Sequence, residues 1–216
     1  MDAIQWVKRD HRNVEKLLRE FQRAAKTTKK AEMERLVREV VKELSIHAAC
    51  EEQILYPALR EVSGTEDEVL EALEEHHAVK LSLAELEKMT AEDERFEAKM
   101  WVLAHMVRQH VEEEERALLP RLRRGLSAAD LRELGKLLES AKRIAPTHPH
   151  PGAPDSPLGS VVAGALAAIV DRTRDALRTT KERGARQLGA RARARSAARI
   201  AASKQRHGHA EHRPQH

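Results

Sequence analysis

The stretch His47-Ala-Ala-Cys-Glu51 decides the fold, together with its second copy, His110-Val-Glu-Glu-Glu114. In each copy a histidine stands four residues before a glutamate, so both side chains lie on one face of a helix. Each copy then reaches a proline ten residues after its histidine, at Pro57 or Pro120. One His-x-x-x-Glu pair is weak evidence, because a helix rich in both residues produces it by chance. Two copies in register with an apolar seam indicate a duplicated unit.

Apolar residues recur at helical spacing in four segments of the chain. The segments span about residues 2–25, 31–62, 66–89 and 91–124. The second and fourth repeat with an offset of 63 residues (His47 and His110), and the first and third with an offset of 65 (His11 and His76). Residues 1–125 therefore predict an all-α fold, an up-down-up-down four-helix bundle made from a duplicated helical hairpin.

The rest of the chain divides by composition. We expect an additional short helix at 126–145, a proline-rich linker at 146–157, an amphipathic helix at 158–178 and a largely disordered Arg/Ala/His-rich tail at 179–216. Lys and Arg number 13 against 5 Asp and Glu in residues 146–216, but 26 against 30 in residues 1–145, which sums to the net charge of +4. The basic character therefore belongs to the tail and says little about the bundle.

Composition also limits the class of protein. The single cysteine, Cys50, excludes an intramolecular disulfide and gives no cysteine-based zinc or haem motif. The N-terminal residues show no apolar core of signal-peptide length. The longest apolar run, near residues 158–170, has about 13 residues, whereas about 20 are needed to span a bilayer. We therefore expect a cytoplasmic protein without a membrane segment.

Six polar residues occupy seam positions of the four segments. They are His11, His47, Glu51, His76, His110 and Glu114. Seam residues at similar height meet in the core of a bundle, where imidazoles and carboxylates are costly unless they are paired or bind a cation. Two metal ions would satisfy this set, each taking two histidines while both carboxylates bridge. Nitrogen and oxygen donors without thiolate suit iron, manganese or zinc.

A plainer interpretation places these residues on solvated faces or in histidine–glutamate hydrogen bonds. It accounts well for one His-x-x-x-Glu pair, but poorly for a duplicated set in which every member lies on the seam. Five neighbouring residues are expected at the surface, in packing or around the ligands rather than on the metal. They are His77, His105, Glu52, Glu115 and Tyr56.

With these motifs the chain resembles the hemerythrin-like HHE cation-binding domain family. The resemblance lies within residues 1–125 and rests on Asp10-His11-x-x-Val14, His47-x-x-x-Glu51-Glu52-x-x-Leu55-Tyr56-Pro57, Glu75-His76-His77-x-Val79 and His110-x-x-x-Glu114-Glu115. It implies a non-haem di-iron site in the bundle, with two iron ions expected before manganese or zinc. It also implies chemistry or sensing of dioxygen, peroxide or nitric oxide.

One position differs from the oxygen-carrying proteins of this kind, which the chain resembles but which use five histidines. Four residues after His76 they offer another histidine, where this chain has Lys80. Four histidines, two bridging glutamates and one bridging oxygen leave about two positions open on a pair of six-coordinate ions, unless His77 or His105 fills one. Open positions favour turnover of a small molecule over reversible carriage.

Two classes of function follow. The first is a di-iron protein that handles dioxygen, peroxide or nitric oxide, with catalase-like or peroxidase-like turnover as one form of it. The second is an iron, oxygen or redox sensor or binding module that signals through the basic tail. Nucleic-acid association through the tail is a weaker hypothesis, because residues 172–206 hold twelve Arg and Lys but no aromatic residue to stack on bases. The sequence leaves the oligomeric state open.

Overall fold

The computed structural model describes residues 1–62 and 64–152, and every regular element in those two ranges is helical. The α-helices are α1 (Ala3–Lys26), α2 (Lys30–Cys50), α3 (Tyr56–Arg60), α4 (Glu66–Leu86), α5 (Phe96–Glu113), α6 (Leu119–Gly125) and α7 (Ala128–Ala141). Two π-helical turns, Glu51–Leu55 and Glu114–Leu118, join α2 to α3 and α5 to α6. The predicted amphipathic helix at 158–178, the tail at 179–216 and the linker beyond residue 152 lie outside the described residues.

The predicted all-α bundle is confirmed. α1 packs on α2 and α4 packs on α5, while α2 meets α4 and α1 meets α5, so four helical rods close a ring. One apolar cluster includes Phe21 and Phe96, and a second includes Trp6 and Leu55. Along each rod the seam histidine falls between residues of these two clusters. The apolar core is therefore divided by one polar layer.

Two helix starts differ from what their sequences predict. Thr65-Glu-Asp-Glu68 has the pattern of a capping box and predicts Thr65 as the cap of α4. The Thr65 hydroxyl instead lies 2.5 Å from the Leu59 carbonyl oxygen and 2.8 Å from that of Val62, and so caps the end of α3. Thr90-Ala-Glu-Asp93 also predicts an N-terminal cap, and the Thr90 N–H donates to the Asp93 carboxylate at 2.7 Å. The chain nevertheless continues in turns, and α5 begins only at Phe96 rather than near residue 91.

Each π-helical turn begins at a seam glutamate and ends just before a proline. The Tyr56 N–H donates to the Glu51 carbonyl, five residues back, and the Leu119 N–H donates likewise to Glu114. Proline has no N–H and its ring clashes with the carbonyl four residues earlier, so regular α-helical bonding cannot pass through Pro57 or Pro120. A proline at these positions predicts a kink or an end of the helix beyond the site, whereas the irregular turns start at the site itself, at Glu51 and Glu114.

A fifth rod, α7, covers one end of the bundle by packing on α1 and on the first π-turn. Its leucines join the same apolar cluster as Trp6. Ser127-Ala-Ala-Asp130 predicts the start of this helix, and the Ser127 hydroxyl caps α7 by accepting from the Asp130 N–H at 3.1 Å. At Gly135 an added Cβ would lie 2.6 Å from the Met1 carbonyl oxygen, so only glycine permits this close approach.

Within the described ranges, none of the helices is both long enough and apolar enough to cross a membrane.

Candidate metal centre

All six predicted seam residues meet in the polar layer between the two apolar clusters. Their exposure ranges from 0% to 5%: Glu51, Glu114, His76, His11, His47 and His110. Each rod contributes to the layer, because α1 and α4 supply one histidine each and the ends of α2 and α5 supply His-x-x-x-Glu. The helical register predicted from the repeat thus brings together the whole candidate set.

The histidines lie in two pairs, one for each hairpin. His11 and His47 have ring centroids 5.1 Å apart in the first hairpin. His76 and His110 are 4.6 Å apart in the second, with their Nε2 atoms separated by 3.1 Å. The four rings therefore present their Nε2 atoms toward a common space rather than toward solvent.

Glu51 lies between the two histidine pairs. Its Oε2 is 3.2 Å from the Nε2 of His47 and 3.4 Å from the Nε2 of His76. Ligand atoms of Glu51, His11 and His47 lie within 4.8 Å of one another, and those of Glu51, His76 and His110 form a second such group. Glu51 is thus placed to serve two cations at once.

Glu114, the counterpart of Glu51 in the second hairpin, faces the first histidine pair. Its Oε2 lies 3.2 Å from the Nε2 of His11. It is not a member of either group of ligand atoms described for Glu51. The two glutamates, equivalent by sequence repeat, are therefore not equivalent in position.

Three of the four histidines donate a hydrogen bond from their outer nitrogen, Nδ1, to a carboxylate. His11 Nδ1 lies 2.9 Å from Glu115 and His76 Nδ1 lies 3.0 Å from Glu52. Such bonds fix the orientation of a ligating ring and raise its basicity. Glu52 and Glu115, expected near the ligands or on the surface, thus orient histidines on the opposite hairpin.

Sequence reasoning missed the third of these carboxylates. His110 Nδ1 lies 2.7 Å from Glu75, which directly precedes the seam histidine of α4. The signal was present, because an acidic residue precedes the histidine in both repeats, as Asp10-His11 and Glu75-His76. A side chain one residue before a seam position points toward the neighbouring helix. It can therefore reach the outer nitrogen of the seam histidine on that helix.

The unpartnered atoms of the site test whether it fits metal ions. Among the described residues, no hydrogen bond reaches either carboxylate oxygen of Glu51 or Glu114, or the Nε2 of His11. The His11–Glu114 contact is close but lacks the direction of a hydrogen bond. Burying such groups without partners costs several kcal/mol, roughly 2–7 for each polar group. Cations bound by four imidazoles and two carboxylates would remove that cost, and this donor set suits iron, manganese or zinc.

In the metal-free site, the pKa values of the two glutamates shift in opposite directions. Burial raises the pKa of Glu51 well above its usual value, and the Glu114 carboxylate raises it further. Burial also opposes the charge of Glu114, but its contact with His11 outweighs burial and lowers the pKa of Glu114. For His11, burial acts to lower the pKa, yet Glu114 and then Glu51 raise it to about 9. Burial therefore favours the neutral form of Glu51, whereas the contact of His11 with Glu114 favours the charged forms of both partners.

His47 differs from His11 in its charge. Burial holds the pKa of His47 well below its usual value, and the neighbouring His11 cation lowers it further. A neutral imidazole is the form that binds a metal ion. His47 is therefore ready to ligate at neutral pH, whereas His11 must first lose a proton.

The structure also locates residues that the sequence leaves outside the ligand set. The Tyr56 hydroxyl is buried, 3.2 Å from the Nε2 of His76, so it reaches the inner face of the site. His77 and His105 are exposed on α4 and α5, away from the layer. Cys50 is fully buried, and burial raises the pKa of its thiol to about 12, which makes it an unreactive filler.

Surface grooves reach histidines of both pairs. One, of about 530 Å³, runs between α1 and α5 and reaches His11 and Glu115. Another, of about 290 Å³, lies between α4 and the α5 end and reaches His110 and Glu114. Each histidine pair thus has one member that borders an opening.

A helical bundle whose core holds a layer of four histidines and two carboxylates defines a class of cation-binding bundle proteins. The family model for the hemerythrin HHE cation-binding domain matches residues 2–122. This chain belongs to that family.

Individual relatives support the assignment. A hemerythrin-like protein of Schizosaccharomyces pombe is 31% identical over 169 residues, which cover 77% of this chain and 82% of that protein. A hemerythrin HHE cation-binding domain-containing protein of Mycobacterium kansasii, known from its crystal structure, superimposes with a TM-score of 0.57 at 24% identity over 67% of this chain and 86% of that one. The latter likeness shows the fold.

A DNA nickase of Nostoc sp. is 27% identical over 136 residues. The match covers 63% of this chain but only 38% of the nickase.

Proposed function

We propose that the polar layer binds two iron ions and uses them to handle dioxygen, peroxide or nitric oxide. The observation that carries this proposal is the position of Glu51 between two histidine pairs. His11 and His47 would hold one ion, His76 and His110 the other, and Glu51 would bridge them. Glu114 would complete the set from the side of His11.

Iron supplies redox chemistry and Lewis acidity when bound, while this chain's residues decide what else can reach it. Lys80, which stands where oxygen carriers of this kind offer a fifth histidine, is used elsewhere, since its Nζ lies 2.9 Å from Glu52. His77 and His105 are exposed. The arrangement therefore supports open positions for a small molecule.

Tyr56 is the residue best placed to assist such a molecule. Burial raises the pKa of its phenol well above the usual value, and the carboxylate of Glu51 adds to the effect, so the hydroxyl keeps its proton. The hydroxyl oxygen lies 3.2 Å from the Nε2 of His76. Tyr56 can thus donate a hydrogen bond to a ligand in the layer.

The smaller groove, beside His110, favours small uncharged molecules over anions. The smaller groove is lined by Glu68, Glu71 and Glu113 with Arg116 as its cation, so its net charge opposes anions. Dioxygen, hydrogen peroxide and nitric oxide are neutral at physiological pH. Metal cations would be attracted by the same charge, which suits a site that must be loaded from solution.

Metal analysis tests the proposal. The full chain, produced with iron, should carry about two iron ions and show an optical spectrum that hydrogen peroxide or nitric oxide changes. The exposed pair His77→Ala and His105→Ala provides a matched control that should retain both ions. Fewer than two ions in the full chain, or equal iron in a variant lacking both His47 and His110, would contradict a dinuclear site.

Turnover distinguishes an enzyme from a sensor built on the same site. Repeated consumption of hydrogen peroxide by a small amount of protein would support catalase-like or peroxidase-like activity. A single stoichiometric oxidation, followed by altered binding to a partner, would support an iron, oxygen or redox sensor. Both use the same ligands, so the iron content alone does not separate them.

A nucleic-acid role is the second candidate. The observation in its favour is the charge of residues 146–216, where 13 Lys and Arg face 5 Asp and Glu. The nickase match covers too little of that enzyme to suggest nicking. Retention on DNA that falls with salt and disappears without residues 158–216 would support association through the tail. Retention that persists without them would exclude it.

A further inference from the structure

The sequence repeat predicts four matching contacts between histidines and outer carboxylates. Shifting His76 and Glu52 by the two repeat offsets gives His11 and Glu115, and both contacts are present, at 3.0 and 2.9 Å. The same shift maps the contact of His110 with Glu75 onto His47 and residue 10. Residue 10 is an aspartate, so a fourth contact of the same kind would be expected.

This fourth contact is missing. Within the described part of the chain, the Nδ1 of His47 is buried and has no hydrogen-bond partner. Asp10 is itself only 2% exposed, and its Oδ1 is likewise buried without a hydrogen bond, with the Arg9 Nε 3.6 Å away as an ion-pair partner. Two complementary groups that are hydrogen-bonded to each other in the other hairpin therefore both lack a hydrogen bond in the first.

Lys142 binds the other carboxylate oxygen of Asp10. Its Nζ lies 2.7 Å from the Oδ2 of Asp10 and 3.2 Å from Glu43, and 5.6 Å from the centre of the Trp6 ring. The side chain of aspartate is one methylene shorter than that of Glu75, so it reaches less far. A carboxylate that is short and already bound to a half-buried ammonium is poorly placed to turn toward His47 as well.

The lysine comes from outside the family domain. Lys142 follows directly after α7, whereas the family match ends at residue 122. α7 is held in place by the close approach of Gly135 to the N-terminal backbone and by buried leucines such as Leu134 and Leu138. Its end is thus fixed against α1 at the level of Asp10.

We propose that Lys142 is a positioning residue that holds Asp10 away from His47, so that the α1–α2 half of the centre binds metal more weakly than the α4–α5 half. The proposal rests on the dinuclear site proposed above. Loss of a carboxylate behind a ligating histidine typically lowers metal affinity by about 10–100-fold. The two halves should differ by a factor of that order.

Titration of the metal-free full chain with iron(II), without oxygen and against a chelating indicator, tests this directly. Wild type should bind two ions in two separate steps. Lys142→Met frees Asp10 and should tighten the weaker step toward the stronger one, about 10-fold or more. Lys136→Met, the same change at an exposed position of α7, should leave both steps unchanged.

A double variant separates positioning from charge. Removing an ammonium near the site would by itself favour a cation, with or without Asp10. If Lys142 acts through Asp10, the gain from Lys142→Met should vanish in the Asp10→Ala background. An equal gain in that background would overturn the positioning role.

Glu75→Ala supplies a test that does not depend on α7. It removes the carboxylate behind His110 and should weaken the tighter step until the two steps merge. If it weakens the looser step instead, the assignment of the halves is wrong. Two ions bound with equal affinity by wild type would overturn this proposal alone, whereas fewer than two ions would overturn the dinuclear site with it.

Discussion

The two hairpins of this bundle carry the same types of ligand residue, but the residues around those ligands differ. Each has a histidine on its first rod, His-x-x-x-Glu on its second, and a π-helical turn that ends at a proline. Around the site they differ: Tyr56 in the first hairpin corresponds to the buried Leu119 in the second, and α7 packs on α1 and the first π-turn. Helical register therefore preserves the positions of ligands while the neighbouring side chains diverge. Two chemically alike metal positions then acquire different environments.

The largest expected effect concerns the two glutamates. The sequence repeat predicts that Glu51 and Glu114 are equivalent bridges, whereas the structure places only Glu51 within both groups of ligand atoms. Glu51→Ala should therefore lose nearly all iron, and Glu114→Ala should lose less, mainly beside His11. Elemental analysis of iron per chain measures both. Equal losses in the two variants would restore the symmetric picture.

The next effect is a pH dependence of the free energy of unfolding, which arises from His11 in the first hairpin. Folding raises the pKa of His11 to about 9 from 6.5, so the folded metal-free chain holds this proton more tightly than the unfolded chain. The resulting stability is fully present below pH 6.5 and is lost as the pH rises through 9, by about 3 kcal/mol. Urea unfolding of metal-free protein at pH 6 and pH 9.5 measures it.

Two controls define this pH effect. His11→Gln should flatten the dependence between these pH values, although the raised pKa of Glu51 contributes in the same direction. Bound iron should reverse the trend, because the metal competes with the His11 proton and binds better as the pH rises. A metal-free wild type that gains stability toward pH 9.5 would show that His11 is not protonated in the fold.

A smaller effect should follow from loosening α7 on the first hairpin. Gly135→Ala places a Cβ 2.6 Å from the Met1 carbonyl oxygen, so the backbone must move. We expect a loss of about 1–3 kcal/mol in the free energy of unfolding, as for overpacking elsewhere. Gly152→Ala is the matched control, because no heavy atom of the described residues lies within 4 Å of its added Cβ. An unchanged midpoint in denaturant for Gly135→Ala would mean that α7 docks loosely.

The smallest effect is expected at the two exposed histidines of the second hairpin. His77→Ala and His105→Ala should retain wild-type iron, because both side chains face solvent. Loss of one ion in either variant would reveal a fifth histidine ligand. It would also shift the proposed function from turnover toward reversible binding.

The sequence was informative wherever periodicity controls position. Heptad-like spacing and the 63- and 65-residue offsets predicted the four rods and the depth of His47 and His110. Periodicity describes one rod at a time, however, and says nothing about which side chains meet across the bundle. The contact of Glu75 with His110 and that of Lys142 with Asp10 join residues far apart in the chain, so no local pattern encoded them.

Irregular backbone was the second feature that could not be predicted from the sequence. The prolines were visible as helix breakers, but a missing N–H permits a kink, an end or a wider turn, and only packing chooses among them. Thr65 shows the same ambiguity. Its hydroxyl was free to cap the helix that follows, yet burial beside Leu59 turned it toward the helix that precedes.

The π-turns also bear on how the ligand set keeps its shape before a cation binds. A π-helical turn can usually revert to regular α-helix if each of its residues has a backbone N–H. Such a reversion would rotate the side chain of the glutamate at its start. Pro57 and Pro120 remove that option, since no N–H is available to pair with the carbonyls of Gln53 and Arg116. The carboxylates are thereby kept in one register before any cation arrives, and little reorganisation accompanies its arrival. Replacing both prolines with alanine would be expected to slow iron uptake more than it weakens the final affinity, which stopped-flow mixing can resolve.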